Sequence, residues 1–298
     1  MKLPKHVTIK EVGPRDGLQN EIEMIQTKDK IEWIENLSKT GLSYIEVTSF
    51  VHPKWIPQLA DAVDVLKGLK REESVTYAAL VPNMRGLERA LEANIDEVSV
   101  FMSASESHNK NNINKSIEET YPVLEEVVQA AKKEGKQVRG YLSTVIGCPY
   151  EGKIPVEQVV RITDRLLEMG IEEISLGDTI GVGVPTEVEA LLSALLTRFN
   201  SNLFAMHFHD TRGTALANIL QSLEMGLTKF DSSLGGLGGC PYAKGASGNV
   251  ATEDLLYMLQ GMGINTNIDM DALLNAAFFI EEKLGKQLNS KQMNIARK

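Results

Sequence analysis

The chain has 298 residues, of which 43% are hydrophobic and 24% charged, a composition typical of an ordered globular protein with a sizeable core. Its formal net charge of −9 disfavours nucleic acid and anionic membranes as partners and favours small molecules, although a local basic pocket could still hold phosphates. No apolar run approaches the roughly 20 residues of a membrane span, and the opening MKLPKHVTIKEV lacks the apolar segment of a signal peptide, so we expect a cytoplasmic protein.

Short runs rich in β-branched residues predict eight strands, and segments with apolar residues at helical spacing lie between them. In chain order the strand-like runs are residues 7–12, 44–50, 75–81, 97–102, 137–145, 173–179, 203–210 and 229–236. Several of the helical patterns end on Gly or Asn, which are common residues at helix C-termini.

This alternation predicts an α/β fold, a closed (β/α)8 TIM barrel with additional C-terminal helices. An open doubly wound sheet is disfavoured because no Gly-x-Gly-x-x-Gly motif opens a helix near the start. We expect a single catalytic domain over residues 1–298, with the barrel over about 5–265 and a helical extension over about 266–298. Residues 106–116, after the fourth strand, are interpreted as a polar loop whose lysines could meet a phosphate.

Reactive residue types gather where the predicted strands end, which is where active sites lie in this fold. They are Arg15 and Asp16 after the first run, Glu46 and Ser49 on the second, Asp178 at the end of the sixth, His207 and His209 at the end of the seventh, and a glycine-rich stretch, GGLGGCPYAKGASGN, after the eighth.

His207 and His209 are separated by one residue, so on a strand both imidazoles point to the same side. Two imidazoles on one face can share a metal ion, and Asp16 from the first strand could add a carboxylate oxygen. Such a mixed nitrogen and oxygen set suits a divalent cation such as Mg2+, Mn2+ or Zn2+. The alternative is that one histidine is hydrogen-bonded in the core and the other is solvated.

The motif GPRDGLQ places Arg15 beside Asp16, where a guanidinium could neutralise an oxyanion that forms next to the metal ion. Gly, Pro and Asp are also ordinary turn residues, so a surface turn is the other interpretation. Glu46 lies in a run suited to burial, and a buried carboxylate needs a cationic or donor partner. Arg15 is the natural candidate; otherwise Glu46 faces the helix layer and pairs with an unrelated lysine.

The glycine-rich stretch 235–249 could form a mobile lid over the barrel mouth or a static phosphate cradle. Cys240 lies within it and could act as an acid, although a free loop cysteine often has no role. Asn249 precedes a helical pattern and could be its N-cap, a metal ligand, or both in different states. The remaining cysteine, Cys148, is interpreted as structural.

These motifs closely resemble the 3-hydroxy-3-methylglutaryl-CoA lyases, a family of (β/α)8-barrel enzymes, over nearly the whole chain. The stretches that carry the resemblance are GPRDGLQNE, YIEVTSFVHPKWIPQLAD, RGYLSTVIGCPYEGK, EISLGDTIGVG, HFHDTRGTALAN and GGLGGCPYAKGASGNVATEDLLYML. Short RDG-type motifs also occur in a wider superfamily of condensing synthases and metal-dependent aldolases, whereas GLGGCPYAKGASGN is much narrower and indicates the lyases.

The resemblance implies cleavage of 3-hydroxy-3-methylglutaryl-CoA to acetyl-CoA and acetoacetate, assisted by a divalent cation such as Mg2+ or Mn2+. It implies four metal ligands, a stabiliser of the enolate oxygen, a supporting glutamate and two proton-transfer residues, together with a homodimer. The ligands are Asp16, His207, His209 and Asn249; the others are Arg15, Glu46, and the pair Asp178 and Cys240. Asp178 or His207 would be the base and Cys240 the final acid. A histidine bound to metal is a poor base through the same nitrogen, so a carboxylate outside the ligand set or a metal-bound hydroxide is the alternative base.

Three other functions stay open. A lyase of the same family could act on a longer branched 3-hydroxyglutaryl-CoA, since pocket-lining residues are not visible as motifs. A synthase could instead condense acetyl-CoA with a 2-oxo acid, although Leu18 in RDGLQ and the absence of an extended regulatory domain argue against it. A barrel that binds a CoA ester or metal without turnover is disfavoured by the complete set of reactive residues.

Overall fold

A computed structural model describes residues 3–239 and 248–297 of the chain. Its centre is a closed barrel of eight parallel strands in the order β1-β8-β7-β6-β5-β4-β3-β2. The strands are β1 Thr8–Glu11, β2 Tyr44–Ser49, β3 Thr76–Leu80, β4 Glu97–Ser103, β5 Gln137–Ser143, β6 Glu173–Asp178, β7 Phe204–Phe208 and β8 Lys229–Ser232. The predicted TIM barrel is confirmed, and each strand lies within or close to its predicted run.

Helices surround the barrel and follow every strand. They are α1 Thr27–Ser38, α2 Ala62–Gly68, α3 Met84–Glu92, α4 Glu106–Ile113, α5 Ile117–Lys133, α6 Val156–Glu168, α7 Pro185–Leu196, α8 Ala215–Glu224, α9 Thr252–Gly261, α10 Met270–Leu284 and α11 Lys291–Ala296. The last two helices form the predicted C-terminal extension and contact α1 and α9. The division of the chain into one domain with this extension stays a prediction.

Local sequence explains where several helices begin and end. Ser116 opens α5 with a capping box, in which its hydroxyl accepts from the amide of Glu119 and the Glu119 carboxylate accepts from the amide of Ser116. Asp269 caps α10 with its carboxylate, which accepts from the amide of Ala272, and Gly285 ends that helix with a left-handed φ of 64°. Among the described helices, none combines the length and the hydropathy of a membrane span.

The sequence interpretation of residues 106–116 as a polar loop is wrong, because α4 covers Glu106–Ile113. This helix has almost no apolar periodicity, so its pattern gave no signal. It is held by the hydroxyl of Ser105, which accepts from the amide of His108, and by an i,i+4 ion pair between Glu106 and Lys110 at 3.1 Å.

The lower interior of the barrel is ionic. Lys10 on β1 donates to Glu173 on β6 at 2.6 Å, and Arg139 on β5 donates to Glu173 at 2.8 Å and to Asp231 on β8 at 2.5 Å. Because β1 and β6, like β5 and β8, are not neighbours in the sheet, the Lys10–Glu173 and Arg139–Asp231 bonds cross the interior. The barrel is therefore filled at this level by paired charges rather than by the branched apolar layers common in the fold.

Candidate functional site

A five-residue turn at the end of β1 presents Arg15 and Asp16 to the barrel mouth. The carbonyl of Val12 accepts from the amides of Arg15, Asp16 and Gly17 at 3.1, 2.7 and 3.3 Å. A Cβ on Gly17 would lie 2.8 Å from Ser233 Oγ and 2.9 Å from Leu237 Cβ, so only glycine fits against the loop after β8. The turn therefore fixes two adjacent charged side chains in one direction.

Asp16, His207 and His209 form a buried cluster at this mouth. One ligand atom from each lies within 4.8 Å of the others, and the Nε2 atom of each histidine is 3.9 Å from Asp16 Oδ2. The two imidazole centroids are 5.3 Å apart, because alternate residues at the end of β7 point to the same side. A divalent cation that accepts nitrogen and oxygen ligands suits this set.

The protonation states of the cluster suit a cation. Burial would raise the pKa of Asp16, but the charges of Arg15, His207 and His209 outweigh it and lower that pKa to about 2. Burial and the neighbouring His207 lower the pKa of His209 to about 4. At neutral pH Asp16 is therefore an anion and His209 a neutral imidazole, which are the forms that bind metal.

Asn249 completes the group. Its Nδ2 donates to Asp16 Oδ2 at 2.8 Å and to the carbonyl of Leu237 at 3.0 Å, and its backbone pairs with that of His209. Its Oδ1 is buried and has no hydrogen-bond partner among the described residues. A buried amide oxygen without a donor is costly unless a cation or substrate group meets it, so the residues present fit a metal ion.

Arg15 is held by Glu46 and Tyr141. Its Nε donates to Glu46 Oε2 at 2.5 Å, its Nη1 donates to Asp16 Oδ1 at 2.6 Å, and its guanidinium lies 4.9 Å from the Tyr141 ring centroid. The Tyr141 hydroxyl donates to the same Glu46 oxygen at 3.0 Å. Among the described residues no acceptor meets Arg15 Nη2, which leaves this donor for a ligand.

Glu46 thus pairs with Arg15 and not with a lysine in the helix layer, the alternative that the sequence left open. A shift of register between β2 and β3 at Glu46 and Thr48 accompanies this placement, as expected of a strand irregularity beside a site. Tyr141 was missed by sequence reasoning. Its position two residues after Arg139 in a predicted strand, and so on the same face, was the available signal.

The other predicted site residues lie elsewhere or outside the described chain. Asp178 is buried, and its two carboxylate oxygens accept from the amides of Val182 and Gly183 at 3.1 and 2.8 Å, so it braces the loop after β6. Burial raises the pKa of Asp178. Ser49 Oγ accepts from the amide of Val51. Cys240 lies outside the described residues.

A cavity of about 1010 Å³ opens above the cluster, a size suited to a drug-sized or cofactor-sized ligand. Its floor contains the charged groups already described, and its rim includes aromatic, amide and lysine side chains. The lining includes Arg15, Asp16, His207, His209, Tyr141, Trp55, Asn112 and Lys115. The end of α4 and the segment after it therefore form one wall, which puts Lys115 beside the cavity.

Comparisons with known proteins agree with this geometry. The HMGL-like family model matches residues 6–280. A curated hydroxymethylglutaryl-CoA lyase of Bacillus subtilis (strain 168) is 62% identical over 295 residues, which cover 99% of each chain. The crystal structure of a Bacillus subtilis HMG-CoA lyase superposes with a TM-score of 0.99, at 62% identity and with 100% of both chains covered.

A solved HMG-CoA lyase carries ligands related to coenzyme A esters and hydroxy acids. The structure of an HMG-CoA lyase from Acinetobacter baumannii in complex with coenzyme A and 3-methylmalate superposes with a TM-score of 0.94, at 40% identity, covering 97% of this chain and 95% of that one.

Proposed function

Because the chain belongs to the HMGL-like family, we propose that it acts as a hydroxymethylglutaryl-CoA lyase, which cleaves 3-hydroxy-3-methylglutaryl-CoA to acetyl-CoA and acetoacetate. The observation that carries this function is the buried cluster of Asp16, His207 and His209 with Arg15 beside it, at the floor of an open cavity. A carbon–carbon lyase needs these two parts, one to hold a hydroxyl and a carboxylate and one to stabilise an enolate oxygen.

A divalent cation, Mg2+ or Mn2+, is the proposed cofactor, held by Asp16, His207, His209 and Asn249. When bound, the cation supplies Lewis acidity, which lowers the pKa of the tertiary hydroxyl and fixes the orientation of the breaking bond. Asp16 Oδ2 and the two Nε2 atoms converge, and the Asn249 amide both orients Asp16 and adds its own oxygen.

Arg15 is the proposed stabiliser of the enolate. As the C2–C3 bond breaks, its electron pair moves into the acetyl thioester, and negative charge develops on the thioester oxygen. Arg15 Nη2 is the donor left for that oxygen, since Nε and Nη1 are bonded to Glu46 and Asp16. Glu46 and Tyr141 keep the guanidinium from turning away, so no reorganisation is needed as the charge appears.

The proton transfers are proposed for three residues. The hydroxyl proton goes to Asp178 or His207, and Cys240 returns a proton to the enolate carbon. The two proposed bases differ in position: His207 lines the cavity, whereas Asp178 holds the amides of residues 182 and 183. An Asp178→Asn variant that keeps normal kcat would exclude Asp178 as the base.

The thioester and nucleotide parts of the substrate are proposed to fill the cavity, with Lys115 and Asn112 at its rim. The complex of the Acinetobacter relative with coenzyme A supports an acyl-CoA as the ligand class. A homodimer is proposed from the family resemblance, and light scattering on the purified chain would test it. The cytoplasmic location stays a prediction.

The deciding experiment measures acetoacetate release from 3-hydroxy-3-methylglutaryl-CoA by metal-stripped protein, with and without added Mg2+ or Mn2+. We expect product only with the cation and strongly reduced product with Asp16→Asn. A panel of longer branched 3-hydroxyglutaryl-CoA esters, assayed in parallel, tests the acyl-chain preference. Folded protein that yields no product from 3-hydroxy-3-methylglutaryl-CoA with either ion would refute the proposed reaction.

A further inference from the structure

A buried carboxylate lies directly beneath one of the proposed metal ligands. Asp231 on β8 is the register partner of His207 on β7, and its Oδ2 is 3.1 Å from His207 Nδ1. Both side chains are buried, and the imidazole presents its other nitrogen, Nε2, toward Asp16. The carboxylate and the proposed metal site therefore lie on opposite sides of one ring.

Two fixed donors keep Asp231 in place and set which of its oxygens faces the histidine. Arg139 Nη2 donates to Oδ1 at 2.5 Å, and Ser175 Oγ donates to Oδ2 at 2.7 Å. Arg139 is itself fully buried and is fixed a second time by Glu173, to which its Nε donates at 2.8 Å. Rotation of the Asp231 carboxylate would break the Arg139 bond, so Oδ2 remains an acceptor aimed at the ring.

An ionised carboxylate only accepts hydrogen bonds, so its partner on the ring must be N–H. With the proton on Nδ1, a neutral His207 has its lone pair on Nε2, which is the atom that faces Asp16 Oδ2 and lies near His209. His209 differs, because its buried Nδ1 has no hydrogen-bond partner among the described residues. Of the two histidines, His207 is the one whose tautomer and ring orientation are fixed by a hydrogen bond to a carboxylate on the side away from Asp16.

We infer that Asp231 is a positioning residue that locks His207 in the Nδ1–H tautomer and thereby directs its Nε2 lone pair at the cation. Arg139 and Ser175 act one step further out by holding the carboxylate. Metal-binding histidines commonly make such a bond through the second ring nitrogen, and loss of the partner typically costs 10–100-fold in metal affinity or activity. This inference rests on the metal site of the proposed function.

The variant Asp231→Asn tests the inference because the site dictates how the amide must lie. Arg139 is a donor, so the amide oxygen takes the Oδ1 position, and the NH2 group takes the place of Oδ2 beside His207. That NH2 donates to Nδ1 and drives the ring proton to Nε2, where it opposes metal binding. The Ser175 hydroxyl, which donates to Oδ2 in the wild type, can instead accept from the new NH2 group, so the substitution does not bring two donors together.

Glu173→Gln is the matched control. It also removes one buried negative charge from Arg139, but Glu173 does not touch His207. A general loss of charge or packing in the barrel interior affects both variants, whereas loss of the Asp231–His207 bond affects only one.

Two measurements that do not need turnover decide the matter. Long-range ¹H–¹⁵N correlation spectra of the metal-free protein should show His207 as the Nδ1–H tautomer in the wild type and in Glu173→Gln, and as Nε2–H in Asp231→Asn. Mn2+ titration followed by electron paramagnetic resonance should show binding weakened about 10–100-fold in Asp231→Asn and much less in Glu173→Gln.

The inference is overturned if the spectra show that His207 of the wild-type protein carries its proton on Nε2. This measurement does not depend on whether any variant folds. The inference is also overturned if Asp231→Asn binds Mn2+ as the wild type does, or if Glu173→Gln weakens Mn2+ binding equally. Because these measurements use the metal alone, they are independent of the acyl-CoA. Failure to cleave 3-hydroxy-3-methylglutaryl-CoA, with these results intact, would refute the proposed reaction and leave the role of Asp231 standing.

Discussion

Replacement of Glu11 by Gln should stabilise the protein at alkaline pH. Glu11 ends β1 and is fully buried; its Oε1 accepts from the amides of Gly13 and Leu234 at 2.8 and 3.0 Å, and its Oε2 accepts from the Thr252 hydroxyl at 2.6 Å. Gln retains the Oε1 acceptor, and its Nε2 can donate to Thr252, whose hydroxyl also accepts. The variant therefore removes a charge while the hydrogen-bonded shape stays nearly the same.

The magnitude follows from linkage. Burial raises the pKa of Glu11 from 4.5 to about 7, although bonds from Thr252, Leu234 and Gly13 oppose the increase. The unfolded chain therefore releases this proton first, so the contribution of Glu11 to stability is fully present below pH 4.5 and is lost as the pH rises to about 7. A difference of about 2.5 pH units corresponds to roughly 3 kcal/mol in the free energy of unfolding.

Denaturant unfolding at pH 4.5 and pH 8, followed by circular dichroism and tryptophan fluorescence, measures this contribution. EDTA is present throughout, because a bound metal would add its own stabilisation. Glu11→Gln should match the wild type at pH 4.5 and exceed it by about 2–3 kcal/mol at pH 8. A variant that gains nothing at pH 8 would refute the reasoning, since Glu11 would then be buried as an anion without cost.

Glu173→Gln serves as a control of opposite sign. Burial would raise the pKa of Glu173, but Arg139, Lys10 and Lys229 outweigh it and lower that pKa from 4.5 to about 2. The stability that Glu173 contributes is present above pH 4.5 and is lost as the pH falls through 2. The variant should therefore be less stable than the wild type at pH 8, by roughly 3 kcal/mol. If both variants raised the free energy of unfolding at pH 8, the cationic partners of Glu173 would not offset the cost of its burial.

Three further variants test the site. Arg15→Gln should lower kcat about 10²–10³-fold with KM nearly unchanged, because one preorganised oxyanion donor is lost; a change confined to KM would exclude that role. His209→Ala should weaken Mn2+ binding before anything else, and wild-type activity without extra metal would show that His209 is not a ligand. Tyr141→Phe removes one hydrogen bond to the Glu46 carboxylate, but Glu46 and Asp16 still hold Arg15, so kcat should fall roughly tenfold or less; a loss as large as that of Arg15→Gln would mean that Tyr141 contacts the substrate.

The sequence predicted the barrel because its signal is local. Each strand is a short β-branched run, and successive runs are separated by helical patterns, so all eight strands could be identified without knowledge of their partners. The placement of reactive residues at strand ends also follows from the fold, which explains why Arg15, Asp16, His207 and His209 could be expected to meet. The helix α4 could not be expected, because it is held by the Ser105 cap and by buried hydrogen bonds of Asn109 rather than by an apolar face.

The groups behind the site could not be predicted, for a different reason. Arg139 and Asp231 are 92 residues apart, and Glu46 and Tyr141 are 95 residues apart, and each pair meets only across the closed barrel. A polar residue in a predicted strand is normally assigned to a solvent-facing side. In this barrel the side chains that point inward are polar as well. The alternation of apolar and polar residues that identifies a strand therefore does not show which of its two faces contributes to the site.

The two strands that close the barrel, β1 and β8, are also linked by ion pairs to the same carboxylate. Lys10 on β1 donates to Oε1 of Glu173 and Lys229 on β8 donates to its Oε2, each at 2.6 Å. If β1 paired one residue out of register with β8, Lys10 would point to the helix layer and Glu173 would lose a partner inside the barrel. Glu173 would keep Arg139 and Lys229, but Lys10 would be placed in the helix layer without its carboxylate partner. A buried charge that loses its partner costs several kcal/mol, so this ion pair favours a single closure among the slipped arrangements that backbone hydrogen bonds alone would tolerate during folding.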